Sequence, residues 1–311
     1  MLAIVCPGQG SQTPGFLEPW LELPGIADTL NEWSQATNVD LVAHGTASDE
    51  ETIKDTAVAQ PLIVAAGLLA AQALGTDKLD PTSWVTAGHS VGEITAAGLA
   101  GVFSPVDALE FVRVRAQGMA AAAALEPTGM AAVLGGNQDD VINYLTDMNI
   151  TPANVNGGGQ VVAAGSKTAL AALAENPMEK TRVIQLKVAG AFHTQYMESA
   201  VAELETFSQT LDIHDPIVPL ASNSDGELVE SGNAFVQRLI RQITSPVRWD
   251  LCQQTMTEAG ITGMIELLPG GTLTGIARRA MKGVKTLAIK KPEDLDKAHE
   301  FIAEHTQNIS A

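Results

Sequence analysis

Thiols, aromatic rings and positive charge are all scarce in this sequence, and each shortage removes a class of function. Only two cysteines, Cys6 and Cys252, occur in 311 residues. Two thiols far apart in the chain make neither the disulfide framework of a small secreted domain nor a four-ligand zinc site. Cys6 closes the apolar run Leu2–Cys6 and reads as a small buried hydrophobe. Lys and Arg total 18 against 36 Asp and Glu, a formal net charge of -18. That deficit excludes a general nucleic-acid binder, because neutralising phosphates takes many cations. An anionic partner must then be met by a local basic cluster. Aromatics are 4% of residues whereas apolar residues are 45%, so the core is built from Ala, Val, Leu and Ile. Such a composition suits buried parallel strands and closely packed helices. No apolar run approaches the ~18 residues of a membrane span, and Met1–Val5 has no basic segment of the signal-peptide kind. The expectation is a soluble, cytoplasmic chain without membrane or nucleic-acid partners, long enough for one large domain carrying a smaller insertion.

Periodicity and turn residues place the elements. Leu2–Cys6, stopped by Pro7-Gly8, reads as a buried strand, and residues 84–87 as another. Helical patterns cover residues 17–37, 57–74 with Pro61 in the first turns, and 93–100. Ser104-Pro105-Val106-Asp107 is a helix start, with a capping Ser, Pro in the first position and an acid near the positive helix end. The rhythm changes after Gly129. Strand 130–134 is followed by helix 138–148 capped by Asn137, strands 151–155 and 160–164, helix 167–175 capped by Ser166, and strand 181–188. The order β-α-β-β-α-β is the ferredoxin-like pattern. Met197, Val201, Leu204, Phe207 and Leu211 then resume helical spacing. Strands 217–221, 263–268 and 284–289, helix 233–243, a helix after Pro269-Gly270-Gly271, and a polar surface helix after Lys291 follow. The predicted fold is α/β. An α/β-hydrolase-like main domain over residues 1–126 and 190–311 has a parallel sheet and a nucleophile elbow, and residues 127–189 form an inserted ferredoxin-like subdomain.

Gly88-His89-Ser90-Val91-Gly92 lies between a short strand and a helical stretch, the setting a nucleophile elbow needs. Glycines permit the sharp turn, the Ser90 hydroxyl projects from it, and the following helix aims its N-terminal amides at developing charge. A serine requires a base at neutral pH. Among six histidines, His299 and His305 fall in the polar tail and are expected to be exposed. His44 and His214 stand in polar, loop-like stretches, and His89 is tied up in the elbow. His193, at a strand-to-helix junction, is the candidate base. Gly8-Gln9-Gly10 after the first strand forms a tight loop with exposed amides, suited to an oxyanion hole. It matches neither G-x-G-x-x-G nor a P-loop.

The stretches Gly8-Gln9-Gly10-Ser11-Gln12 and Gly88-His89-Ser90-Val91-Gly92-Glu93 resemble the two signature motifs of malonyl-CoA:acyl-carrier-protein transacylases. Gln60-Pro61, residues 114–119, Asn154-Val155-Asn156, Ala191-Phe192-His193, Arg241-Gln242 and Ser245-Pro246-Val247-Arg248-Trp249 continue the likeness in order along nearly the whole chain. The resemblance implies Ser90 as nucleophile and His193 as base. The main-chain carbonyl of Gln242 would orient the imidazole in place of a triad acid, and the amides of Gln9 and Val91 would form the oxyanion hole. Arg115 would grip the free malonyl carboxylate, with Gln60, Met119, Asn156 and Phe192 also at the substrate. A Phe before the histidine and an aliphatic residue after the serine resemble the malonyl rather than the methylmalonyl type. The implied activity is ping-pong transfer of malonyl from malonyl-CoA to the phosphopantetheine thiol of acyl carrier protein for fatty-acid or polyketide elongation. No metal or cofactor is expected, and a monomer is. The acidic carrier would dock on Arg278, Arg279, Lys282, Lys285, Lys290 and Lys291, with Arg182. The alternatives are a serine thioesterase or hydrolase with the same elbow, and a malonyltransferase of another malonyl-using system. Arg113 is expected to be solvated.

Overall fold

The computed structural model describes residues 1–306. Among the described residues ten strands form two sheets: β1 (Leu2–Cys6), β2 (Trp84–Gly88), β3 (Thr128–Gly135), β4 (Thr151–Gly157), β5 (Gln160–Ser166), β6 (Thr181–Gln185), β7 (Leu220–Ala221), β8 (Val247–Arg248), β9 (Gly263–Glu266) and β10 (Lys285–Ala288). The larger sheet has the order β10-β9-β1-β2-β7 and is parallel throughout. In β1, Leu2, Ile4 and Cys6 enter one apolar cluster while Ala3 and Val5 enter another on the opposite face. Both faces are therefore covered, which is why the run is apolar without alternation. β1 and β2 run in register to Cys6 opposite Gly88, so the loops after both strands emerge side by side at one edge of the sheet.

The smaller sheet has the order β6-β3-β5-β4-β8. Its first four strands are antiparallel in the ferredoxin-like order, with helices Gln138–Asp147 and Lys167–Glu175 burying Val141, Leu145, Leu170 and Leu173 against it. Asn137 caps the first of these helices and Ser166 the second. The fifth strand, β8, comes from much later in the chain and pairs parallel with β4, Asn154 opposite Val247. The small sheet is thus not built from residues 127–189 alone.

The helix Thr56–Leu74 is long and apolar enough to cross a membrane, contrary to the expectation from residue runs. Here 78% of that window is buried inside the fold, against the helices Gly92–Leu99 and Pro105–Ala123. A side chain at Gly67 would come within 2.7 Å of Thr95, which sets how closely two of these helices approach.

Several expectations need correction. The helix expected over 17–37 is a 3-10 turn Glu18–Glu22 and a helix Ile26–Thr37, parted at Pro24-Gly25, where Gly25 takes φ 80°. β6 ends at Gln185, β7 holds only Leu220 and Ala221, and Leu211 lies beyond the helix Val201–Ser208. The last described helix, Asp294–Thr306, is not purely a surface helix, because Leu295, Ala298 and Ile302 form a stripe packed on the core. It carries His305 inward, only 5% exposed, with Nδ1 2.7 Å from Thr262 Oγ1 and its ring 4.3 Å from that of Phe301. The rest of the expected tail helix lies outside the described residues. Arg113 lies over the Phe207 ring at 5.9 Å rather than standing free in solvent.

Candidate active site

Between the end of β2 and the helix Gly92–Leu99 the chain turns so sharply that Ser90 sits at φ 54°, a region non-glycine residues rarely occupy. A Cβ on Gly88 would lie 1.9 Å from the Gly92 carbonyl carbon, and one on Gly92 would lie 2.2 Å from Cys6 O. Both positions must therefore lack a side chain. Asn223, just beyond β7, braces the turn: its Nδ2 donates to Gly88 O at 2.7 Å and its Oδ1 accepts the Ser90 N–H at 2.8 Å.

His193 follows Phe192 at φ 61°, just before the 3-10 turn Gln195–Ala200. Its Nε2 lies 2.7 Å from Ser90 Oγ and its Nδ1 2.7 Å from the carbonyl oxygen of Gln242. A carbonyl only accepts, so Nδ1 carries the proton and the Nε2 lone pair faces the serine hydroxyl. Burial, and next the Arg115 charge, push the ring down to about 3, with the Gln242 carbonyl pulling the other way. The imidazole is neutral and proton-accepting at pH 7.

This depression has a measurable consequence. The unfolded chain protonates His193 near the ordinary histidine value of about 6.5, the folded chain only far below it. Between those limits the unfolded state holds more protons, so stability is present above about pH 6.5 and is lost as pH falls. Unfolding free energies from urea titrations at pH 7 and pH 5 should show that loss, and His193→Asn should lose less. Equal pH slopes for the two proteins would contradict it.

Arg115 is fully buried on the helix Pro105–Ala123. Its Nη1 donates to Gln60 Oε1 at 2.6 Å and its Nη2 to Gln242 Oε1 at 2.8 Å, while Nε–H has no partner among the described residues. Burial pushes it down to about 10, with Glu93 opposing, so it remains a cation at neutral pH. Glu93, on the helix after the elbow, is 1% exposed. Burial pushes its carboxyl up to about 8, while the Asn223 N–H and Arg115 pull it down.

A cleft of about 380 Å³ opens between the parallel sheet and the small sheet. Gln9, Gln60, Ser90, Val91, Met119, Asn156, Phe192 and His193 stand on its wall. Arg115 and Gln242 stand behind the wall, joined to it through Gln60, Ser90 and His193. Asn156 spends its side-chain oxygen on His89 Nε2 at 2.8 Å, and His89 meets Trp249 edge-on at 5.8 Å, so this pair ties the elbow to the small sheet. Lys54 and Lys187 line the same cleft. Glu93, Asn223, Lys54 and Lys187 carry no assigned role in the sequence reading. For Glu93 the signal is visible in retrospect, since it is the sole charged residue of an otherwise apolar helix. Among the described residues no group of three or more His, Cys, Asp or Glu forms a metal-binding cluster.

Residues 3–306 match the acyl transferase domain family. The malonyl CoA-acyl carrier protein transacylase of Mycobacterium tuberculosis is 50% identical over 297 residues, covering 95% of this chain and 98% of the relative. The crystal structure of MCAT from Mycobacterium tuberculosis superposes with a TM-score of 0.91 at 49% identity, covering 96% of this chain and 99% of that one. A type II PKS acyl-carrier protein in complex with its malonyl-transacylase gives a TM-score of 0.90 at 28% identity, with coverage of 96% and 99%. Likeness of this extent in sequence and in fold, over nearly the full length of both partners, makes the chain a member of the malonyl CoA-acyl carrier protein transacylase family.

Proposed function

We propose that Ser90 and His193 carry a ping-pong transfer of malonyl from malonyl-CoA to the thiol of acyl carrier protein, the activity of this family and a supply of malonyl units for fatty-acid synthesis. The carrying observation is the 2.7 Å approach of His193 Nε2 to Ser90 Oγ with Nδ1 held by a main-chain carbonyl. His193 takes the hydroxyl proton as Ser90 Oγ attacks the thioester carbonyl carbon. The tetrahedral oxyanion collapses, the C–S bond breaks, and the imidazolium returns its proton to the leaving thiolate of coenzyme A. A malonyl-serine ester remains. The carrier's thiol then gives its proton to His193 and attacks that ester, and Ser90 Oγ recovers the proton as it leaves.

The backbone amides of Gln9 and Val91 suit the oxyanion, since both residues line the cleft and neither N–H donates to a protein acceptor among the described residues. Arg115 suits the malonyl carboxylate, since its Nε–H has no partner among the described residues and its Nη1 meets Gln60 on the cleft wall. A hydrolase reading draws less support, because a carbonyl occupies the place where a triad acid would orient the histidine. Every group named lies in one chain, so the proposed chemistry calls on no residue of a second subunit. The direct test is intact mass after mixing with malonyl-CoA alone. A stable malonyl adduct supports transfer, whereas steady release of free malonate without an acceptor supports hydrolysis.

For carrier docking, the candidates are the exposed cations on the helix that flanks the cleft. The helix Thr272–Ala280 puts Leu273 and Ile276 on the cleft wall and Arg278 and Arg279 in solvent, with Lys282 just beyond. Lys285 pairs with Glu304 and Lys291 lies 3.8 Å from Glu293, so part of the expected cluster is already compensated. Charge reversal by Arg279→Glu with Lys282→Glu should raise KM for the carrier protein about tenfold at low salt and leave malonyl-CoA acylation unchanged. Transfer kinetics equal to wild type would remove this face from consideration.

A further inference from the structure

Glu93 takes no part in the mechanism above, yet both of its carboxylate oxygens are occupied by the residues that hold the site together. The Asn223 backbone N–H donates to Oε1 at 2.6 Å, and Gln242 Nε2–H donates to Oε2. Asn223 is the side chain that braces Ser90. Gln242 meets all three central groups: its carbonyl accepts from His193, its Oε1 accepts from Arg115, and its Nε2 lies 3.3 Å from Ser90 O.

We propose that Glu93 is a positioning residue which fixes the orientation of the Gln242 side-chain amide and so couples malonyl selection at Arg115 to the Ser90–His193 pair. The inference rests on the roles proposed above for those three residues.

An amide side chain has two orientations related by a half-turn, and its neighbours choose between them. A guanidinium only donates, so the Gln242 atom facing Arg115 must be oxygen. Both oxygens of the Glu93 carboxyl face N–H donors and act as acceptors, so the Gln242 atom facing Glu93 must be the NH₂ group. Placed between a pure donor and a pure acceptor, Gln242 has one orientation that satisfies both. Fully buried groups have no water to repair a mismatch.

Glu93→Gln keeps size and shape but cannot accept at both ends. Its oxygen is claimed by the immobile Asn223 N–H, and its NH₂ then faces the Gln242 NH₂. If Gln242 turns over to relieve this, its NH₂ faces Arg115. The turned-over state passes the mismatch to the guanidinium, although residue 93 does not touch it, and the unturned state leaves it on the amide that Arg115 leans on.

The readout is the ratio of kcat/KM for malonyl-CoA to that for acetyl-CoA, because a merely structural defect lowers both together. In Glu93→Gln the ratio should fall about tenfold. In the double variant with Arg115→Met it should fall no further than in Arg115→Met alone, since both changes act on one unit. A Glu93→Gln protein that keeps the wild-type ratio while Arg115→Met loses it overturns the coupling alone. An Arg115→Met protein that keeps the ratio overturns the coupling and the carboxylate-binding role together. Should Glu93→Gln not accumulate as folded protein, Glu93→Asp decides the matter. Its carboxylate, one methylene shorter, does not reach both donors, so the ratio should fall there as well, and an unchanged ratio overturns the proposal.

Discussion

Ser90→Ala should abolish the malonyl adduct in the intact mass spectrum and lower transfer to carrier protein by about 10⁶-fold. The size of the effect follows from how little remains. Without Oγ there is no atom to carry the acyl group between thiols, and the leftover rate is direct attack of one thiol on the other's ester in a cleft that binds both. The fold should survive, because the bracing bonds to Asn223 run through the Ser90 N–H and the Gly88 carbonyl rather than the hydroxyl. Thermal unfolding within about 2 °C of wild type would show that chemistry alone was removed. An adduct persisting on the Ser90→Ala protein would place the acyl group elsewhere and sink the assignment.

Arg115→Met should change which acyl group the enzyme accepts. A carboxylate paired with a buried guanidinium loses about 3–5 kcal/mol when its partner is removed, roughly 10²- to 10⁴-fold in kcat/KM for malonyl-CoA. Acetyl-CoA has no carboxylate to lose, so its kcat/KM should hold or rise. Arg115→Lys, which keeps the charge without the two-pronged fork, should fall between the two. The charge also bears on the base, because Arg115 pushes His193 down. A substrate carboxylate seated on the guanidinium relieves that push and strengthens the base when the correct substrate is present. Competition between malonyl- and acetyl-CoA on each variant checks the prediction. Unaltered preference in Arg115→Met would show that discrimination lies elsewhere.

The elbow is readable from sequence because its determinants are local. Two glycines that tolerate no Cβ flank one serine within five residues, and a strand and a helix adjoin them. The caps Ser104, Asn137 and Ser166 are readable for the same reason, each side chain accepting from an amide two or three residues on. The four-strand order of the insertion follows from alternation and turn residues. What escapes is non-local. Glu93 and Gln242 are 149 residues apart, and nothing near either residue announces the other. The inward turn of His305 depends on what the stripe of Leu295, Ala298 and Ile302 meets across space. β8 is two residues long, too short for any periodicity to mark it. The helix Thr56–Leu74 shows the limit most clearly, since a buried core helix and a membrane span share a composition and only the neighbours tell them apart.

The pairing of β8 with β4 also governs traffic. A strand from one half of the molecule is laced into the sheet of the other, and His89 and Gln253 are fastened to Asn156 beside it, so the two walls of the cleft are tied to each other directly. Coenzyme A and the carrier's pantetheine arm would then reach Ser90 through this one cleft, the departing thiol vacating the room that the arriving one takes.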